Sequence, residues 1–468
     1  MHRILLNANL IAKLKPIMKL FYTITLSILF ASNISAQESK LLQNFKYRVD
    51  NYKAIGLFAD AGGGFSKEYF TSNDNNLGSS IGGNFNFINS TDYKKTVIAA
   101  NISGGLNRAN YNSSTTQKDK YSFASSSIYL NNTWYRGKKY FEIGASISSK
   151  ISKAISKNYN NTGIGNSKND GYFFSPIIGV GKGRIENVTD MQNALWLYKS
   201  LKNDKNLSRE LTDEELNNLA KSITKGKNTR VLDFRRRTKY ILKTVDGYLK
   251  EKGVVGKTDI DYFNTLNDNL FFANNTERFS GKELYFSINP QMIGENRNYF
   301  INANSYSLQN KSELKDLTAT IGFRKFLPQS LKHQSNYGFA FKAKILKFID
   351  TERNIYTNNI TTNYNIQYNI QQYGPELFYE HAIYPNTRTG IYVRAEANFG
   401  LQILNKFQDD FAKFKLNAGV NYFINYRTRI IANLGLNYQS NALTYFDRNI
   451  FLPNRLFVIT RVGVEINL

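Results

Sequence analysis

Apolar and polar residues alternate along much of this chain, in stretches of about ten residues that recur from one end to the other. The last stretch is the clearest. From Leu456 onward one face carries Leu456, Val458, Thr460, Val462, Val464, Ile466 and Leu468, while the other carries Phe457, Ile459, Arg461, Gly463, Glu465 and Asn467. Ile391 to Ile403, Phe414 to Ile424, Tyr337 to Ile345 and Phe141 to Ser148 follow the same rule. A strand with lipid on one side and water on the other demands this period of two, because successive side chains point to opposite faces. The pattern therefore predicts a membrane all-β fold, an antiparallel transmembrane β-barrel of about 14 strands (roughly 12 to 16).

Connections give a second test, since such barrels have short turns on one side of the membrane and longer loops on the other. Short turns are expected at Asn89 to Lys94, Tyr135 to Lys139, Tyr384 to Arg388 and Tyr426 to Arg429. Long loops are expected at Phe70 to Leu77, Asn107 to Asp119, Lys153 to Asp170, Thr351 to Thr362, Asn405 to Ala412 and Asn441 to Asn454. Trp134, Tyr135, Tyr140, Tyr384 and Tyr426 flank the short turns, where amphipathic rings suit a membrane interface.

Between Gly183 and Ser280 the period changes to about 3.6, the mark of helices. Met191, Ala194, Leu195, Tyr198 and Leu201 share one helical face behind Thr189 and Asp190 as caps. Thr212-Asp213-Glu214-Glu215 reads as a capping box before Leu216 and Leu219. Val231, Phe234, Ile241, Val245 and Tyr248 make a longer stripe ending at Gly253, and a weaker helix spans Thr258 to Leu270. These stripes can bury one another, so a small inserted α-helical bundle is expected. Six strands precede it, which returns the chain to the side it entered from and makes the insert periplasmic if the chain enters from there. Leu284 to Leu314, readable as one strand or two, is the weak point of that count. The expected organisation is a signal peptide over 1–36, barrel over 37–183, helical insert over 184–280 and barrel over 281–468.

Composition changes the picture in three ways. First, 31 Tyr and 33 Phe with only 2 Trp, 7 Pro and no Cys, at a mean hydropathy of -0.43, describe a chain too polar for a bundle of membrane helices. Only the N-terminus nears a continuous apolar run. There Lys13, Lys15 and Lys19 precede Leu20 to Ala31 and the small-residue stretch Ile34-Ser35-Ala36, the layout of a cleavable signal peptide. Second, the missing cysteine excludes a lipidated N-terminus, disulfides and thiolate chemistry. Third, the formal charge of +25 falls to +21 without Arg3, Lys13, Lys15 and Lys19, and its cations are scattered through strands with no recognition helix or stacking motif. Nucleic acid is not an expected partner. Anionic lipopolysaccharide outside and anionic solutes within a pore suit this charge better.

The alternating terminal strand and the turn rhythm resemble the porin-like outer-membrane β-barrel proteins of Gram-negative bacteria. The texture rich in Asn, Lys and Tyr is similar to that of Bacteroidota proteins. The resemblance covers about three quarters of the chain beyond its signal peptide and implies outer-membrane lipid as surroundings. It also implies recognition of the last strand by the barrel-assembly machinery. Such strands usually end in Phe, whereas this one ends in Leu468.

Chemistry is sparse. His333 and His381 are the only histidines after the leader and neither sits in a catalytic or zinc motif. Gly181-Lys182-Gly183-Arg184 lacks the Lys-Ser/Thr ending of a phosphate loop. No cofactor is expected and the chain does not read as an enzyme. Glu376 and Glu380 read as structural charges matched by Lys342, Lys344, Arg394 and Lys415. Candidate lumen-lining residues are Lys342, Lys344, Arg394, Glu396, Lys415, Arg461 and Glu465, whose excess of cations would favour anions. Arg235, Arg236 and Arg237 interrupt a helical stripe and are either a solvated face or a contact for a periplasmic protein, peptidoglycan or lipid phosphates. Three functions stay open: a porin-like channel for small polar or anionic solutes; a non-conducting anchor whose insert binds a periplasmic partner; and a transporter of hydrophobic compounds. The stretch Gln37 to Tyr52 is too short for a large N-terminal plug, which counts against the third.

Overall fold

The computed structural model describes residues 36–68, 72–112, 116–158, 164–229, 234–271, 277–301, 306–355, 361–405, 407–424, 428–440 and 455–466. The stretch before residue 36, expected to be a signal peptide, the loop Asn441 to Asn454 and Tyr426 lie outside the described residues.

The strands are β1 (Val49–Glu68), β2 (Ser72–Ser90), β3 (Lys94–Asn112), β4 (Thr116–Arg136), β5 (Lys139–Asn158), β6 (Ile164–Asn187), β7 (Phe279–Ile301), β8 (Tyr306–Pro328), β9 (His333–Ile355), β10 (Thr361–Asn386), β11 (Thr389–Leu404), β12 (Phe407–Phe423), β13 (Thr428–Ser440) and β14 (Arg455–Ile466). They form one 14-stranded sheet in which each pairs with its neighbour in sequence. Six strands precede the insert and eight follow, and Leu284 to Leu314 falls in two long strands, β7 and β8.

Alternation sorts the two faces. Ile102, Leu106, Ile128, Phe141, Ile143, Ile147, Phe174, Ile178, Phe286, Ile321, Phe339, Phe341, Val420 and Val458 are all exposed on one face, as lipid-facing side chains must be. The opposite face carries Glu142, Glu283, Lys342, Glu376 and Arg394. The sheet curls with this polar face inward. Helix α1 (Ala36–Asn44) leads directly into β1, yet its Gln43 Nε2 donates to Pro328 O at the end of β8, at 3.3 Å. The chain from Gln43 to Val49 reaches about 20 Å at full stretch, whereas a flat sheet would separate β1 from β8 by about 34 Å. The wall is that of a transmembrane barrel.

The strands run longer than a membrane requires. β10 has 26 residues and most others about 20, where about 10 tilted residues cross a bilayer. On β5 the exposed apolar outward positions run from Phe141 to Ile151; Lys153 then faces outward, and the strand continues to Asn158. The barrel therefore rises past the lipid on the long-loop side. This corrects the expected loops. β2 already begins at Ser72, β4 at Thr116, β6 at Ile164 and β12 at Phe407, and the β11–β12 connection turns at Asn405 with φ 55. The ladders continue through Asn, Lys and Ser because backbone pairing needs no apolar face once both faces meet water.

The insert is α2 (Thr189–Asn203), α3 (Asp213–Asn228), α4 (Phe234–Glu251) and α5 (Ile260–Phe271). β6 runs on to Asn187 and β7 starts at Phe279, so the insert is narrower than 184–280. The strands kink there at Gly183 (φ +115) and Gly281 (φ +124), where a side chain would stand 2.0 Å from Lys282 O and 2.2 Å from Arg184 O respectively; only glycine fits. Met191, Ala194, Leu195 and Leu201 bury against Leu219, Ile223, Ile241, Val245, Leu249, Leu266 and Leu270, as the stripes predict. The same core takes in Leu42 and Phe45 around α1, and Leu331 of the β8–β9 turn. Residues 37–48, expected to open the barrel, thus belong to the helical body instead. The Thr212 capping box forms, with Glu215 N donating to Thr212 Oγ1 at 3.2 Å and Thr212 N donating to Glu215 Oε2 at 2.9 Å. Asp190 is not a cap. It is buried, accepting from Thr224 Oγ1 at 2.7 Å and Lys227 Nζ at 2.8 Å. Val231 lies outside the described residues.

Candidate functional site

Alternation places Lys342, Lys344, Arg394, Glu396 and Lys415 on the inner wall, as expected, but most are neutralised there. Lys342 pairs with Glu376 at 2.5 Å and Lys344 with Asp316 at 2.7 Å. Arg394 reaches Glu396 at 2.7 Å and Glu380 at 3.4 Å. Glu396 stands opposite Lys415 in the β11–β12 ladder. Arg461 and Glu465 stand opposite Asn433 and Arg429 in the β13–β14 ladder. Asp316 replaces Glu376 as the partner of Lys344, because it projects from β8, the neighbour of β9 on the other side. Higher on the same wall Leu314, Leu346, Ile370 and Leu404 bury one another beside Ile293, Phe348 and Tyr368. Around Lys342, Lys344 and Arg394 the inner wall is thus a patch of matched charges beside one apolar strip, with Lys413 and Lys415 adding cations next to Lys344.

The helical body attaches to this inner face at the short-turn end. Its main fastening is Arg278, the last residue before β7, fully buried at 0 % exposure. Its guanidinium donates to Gln334 Oε1 at 2.9 Å, to Leu331 O at 2.7 Å, to His333 O at 2.7 Å and to Ser330 O. Its own amide donates to Thr189 Oγ1 at 2.9 Å, and the ring of Tyr384 lies 5.1 Å from the guanidinium carbon. Burial lowers its pKa to about 10, which leaves it a cation at neutral pH. The planar fork suits several carbonyls at once, which a lysine cannot match.

Other ties go round the mouth. Arg48 bonds Asp92 of the β2–β3 turn at 2.8 Å and Glu186 at the end of β6 at 2.9 Å. Arg388 of the β10–β11 turn bonds Asp268 of α5 at 2.9 Å. Asn228 donates to Tyr47 Oη at 3.3 Å, and burial pushes the Tyr47 hydroxyl up to about 12. Ser39 Oγ donates to Pro328 O at 2.9 Å. Strands β1 and β8 stand seven places apart in the curled sheet, and one helical body holds both, so it bridges the mouth.

Several aromatic assignments change. Trp134 points outward, stacked on Phe141 with ring centroids 5.8 Å apart. Tyr135, Tyr140 and Tyr384 do not line the lipid interface. Each lies one step out of phase with an outward residue or on the inner parity, and so turns inward: Tyr135 under the Arg184 guanidinium at 4.3 Å, Tyr140 over Gly181 and Tyr384 against Arg278. Gly181-Lys182-Gly183-Arg184 is strand, with Arg184 Nη1 donating to Thr91 O at 2.8 Å. His333 Nδ1 and His381 Nε2 lie 3.4 Å apart, with Ser335 Oγ 3.1 Å from His381 Nδ1. Among the described residues no three His, Cys, Asp or Glu side chains gather into a metal site. Of the arginine run, Arg237 donates to Lys227 O at 3.1 Å within the bundle, and Arg236 is exposed; the Arg235 side chain lies outside the described residues.

Sequence reasoning missed Arg278 and α1. A single arginine at the seam of insert and strand has no periodic signal. α1 did have one, in Leu41, Leu42 and Phe45 at helical spacing.

No protein-family model and no characterised protein matches this sequence. Solved structures align with this chain at low similarity. The ferric yersiniabactin uptake receptor FyuA from Yersinia pestis aligns over 86 % of this chain and 56 % of its own, at 8 % identity and TM-score 0.37. The translocator domain of the autotransporter NalP from Neisseria meningitidis aligns over 92 % and 94 %, at 8 % identity and TM-score 0.26. A TodX monoaromatic hydrocarbon channel mutant aligns over 92 % and 94 %, at 8 % identity and TM-score 0.31. The chain spans just over half the length of the uptake receptor it matches.

Proposed function

We propose that this protein is an outer-membrane barrel that passes small polar solutes and is held shut at its periplasmic mouth by the helical body. The observation that carries this reading is the body's simultaneous hold on opposite sides of the mouth, through α1, Arg278 and the β8–β9 turn. Export through a signal peptide would bring the N-terminus, and with it α1 and the insert, to the periplasmic side. The ion pairs of Lys342, Lys344 and Arg394 temper the anion preference of the wall, and its polar surface suits water and small hydrophilic solutes.

Single-channel recording tests it. Asn187 and Phe279 are direct partners in the β6–β7 ladder, so Val188 to Arg278 can be replaced by an Asn-Gly turn without moving either strand. The intact protein is expected to open rarely and the deletion variant to conduct steadily. An intact protein that conducts as a free pore overturns the closure. A silent deletion variant overturns transport and favours the second reading, a non-conducting anchor whose body docks a periplasmic partner. The mutual burial of Leu314, Leu346, Ile370 and Leu404 leaves little of that strip for a hydrophobic passenger.

A further inference from the structure

On the outer surface, directly above the lipid-facing apolar band, the ladders set cation against cation. Arg108 on β3 is the direct partner of Lys120 on β4. Lys153 on β5 is the direct partner of Lys168 on β6. Lys153 also stands opposite Ser122, one outward position from Lys120, so the four cations form a row across four adjacent strands. All four are exposed and, by alternation, share the outward face with Leu106, Ile128, Ile151 and Tyr172, which are exposed beneath them. A second such rung, Lys315 opposite Lys347, occurs on β8 and β9.

Like charges directly opposite on one face of a sheet destabilise it. Among the described outward positions of β3 to β6 at this height the one carboxylate is Asp170, bonded to Lys168 at 2.9 Å; one anion cannot balance four cations. The arrangement acquires a use if multivalent anions lie against the wall at that height. An amphiphile fits both parts at once: acyl chains on the Leu106, Ile128 and Ile151 surface, phosphates between the cation rungs. We infer that the outward row Arg108, Lys120, Lys153 and Lys168 is a docking site for a phosphorylated glycolipid of the outer leaflet, a lipopolysaccharide, with the Lys315 and Lys347 rung as a second, weaker one. Glu313 lies within reach of Lys315, at 3.7 Å, and reduces that rung's charge. The inference rests on the outer-membrane placement and on the proposed periplasmic position of the helical body, which puts the long-loop edge in the outer leaflet, and it is independent of solute passage; density-gradient fractionation and protease digestion of intact cells test those two separately.

The experiment is native mass spectrometry of the full protein in mild detergent with added lipid A as probe. The protein should retain lipid A. The variant Arg108→Gln/Lys120→Gln/Lys153→Gln/Lys168→Gln should retain it roughly tenfold less or weaker still, since each surface cation contributes to binding anionic lipid. The control Lys94→Gln/Lys325→Gln, at the opposite edge of the band, should behave as the unmodified protein does. Lipid A stripped of its phosphates should not be retained, and excess inorganic phosphate should not displace intact lipid A. Equal retention by the fourfold variant overturns the inference, as does equal retention of the stripped lipid. Displacement by free phosphate overturns it too, by showing a site for the ion rather than the lipid. Heat-modifiable gel mobility reports whether the fourfold barrel has folded; if it has not, Lys153→Gln/Lys168→Gln alone carries the test, with a several-fold loss expected.

Discussion

Replacing Arg278 by alanine should release the helical body from the barrel while leaving the barrel intact. The side chain makes four hydrogen bonds, to Gln334 Oε1 and to the carbonyls of Ser330, Leu331 and His333, with no exposure to water. Bonds from a charged donor contribute about 1.5–3 kcal/mol each, and an acceptor left buried costs about 1–3 kcal/mol. Their plain sum overstates the effect, because the space vacated by a guanidinium admits water to some of those carbonyls. A loss of about 3–5 kcal/mol in docking is the reasonable range. At about 1.4 kcal/mol per factor of ten, the undocked population should rise roughly a hundredfold or more. Hydrogen exchange of the core amides in α2 to α5 would read this directly, and single-channel recording would read it as more frequent openings. Arg278→Lys should recover only part of the loss, since an ammonium cannot serve three carbonyls in one plane. If Arg278→Ala keeps both the exchange protection and the closed record of the unmodified protein, the clamp is not what holds the mouth.

Three further outcomes follow from single contacts. Lys227→Met should destabilise the helical body by about 3–5 kcal/mol, because it strands the buried Asp190 carboxylate, and Asp190→Leu added to it should restore much of the loss; denaturant unfolding followed by a bundle-specific probe checks both. The Arg209 hydrogen bond, with the Thr212 amide, holds the Glu215 carboxyl at about 2, below its usual 4.5. A carboxylate depressed in the fold supports it above about pH 4.5 and ceases to as pH falls toward 2. Exchange of the first-turn amides of α3 should therefore quicken over that window, and Thr212→Ala should cost about 1 kcal/mol; a flat profile would contradict the capping role. Gly338→Val should hinder barrel assembly, since a side chain there meets the Phe378 ring at 2.4 Å and Phe323 O at 2.9 Å, an overpacking worth about 1–3 kcal/mol; a normal heat-modifiable shift on gels would refute it.

What the sequence disclosed follows the physics of lipid contact. Wherever a strand has hydrocarbon on one side, alternation is compulsory, so Phe141 to Ile151 and Leu456 to Val462 are legible. Above the band both faces meet water and the pattern has no cause. Hence Asn107 to Asn112 and Thr116 to Asp119 read as loop but are paired strand. The Thr212 capping box was legible because its signal is local and fits within four residues. Arg278 was not, since its meaning depends on three carbonyls more than fifty residues away. The tyrosines beside short turns illustrate a further limit: composition places an aromatic ring at the interface, but parity alone decides whether it meets lipid or lumen.

The helical body draws its core from three places in the chain: α1 before β1, the insert between β6 and β7, and Leu331 between β8 and β9. On a flat sheet these lie too far apart for the short lead from α1 into β1 to reach. On a curled sheet they meet across one mouth. The body therefore reaches its full set of contacts only when at least the first eight strands have rounded, and docking becomes a consequence of barrel formation. A helical body that assembled first would have to be enclosed by strands arriving on every side of it. One that is completed last closes a finished opening, and the buried Arg278 bonds to the β8–β9 turn form at that step. In a refolding time course, protease resistance of the insert should therefore appear together with or after the heat-modifiable barrel, and an insert protected first would reverse this order.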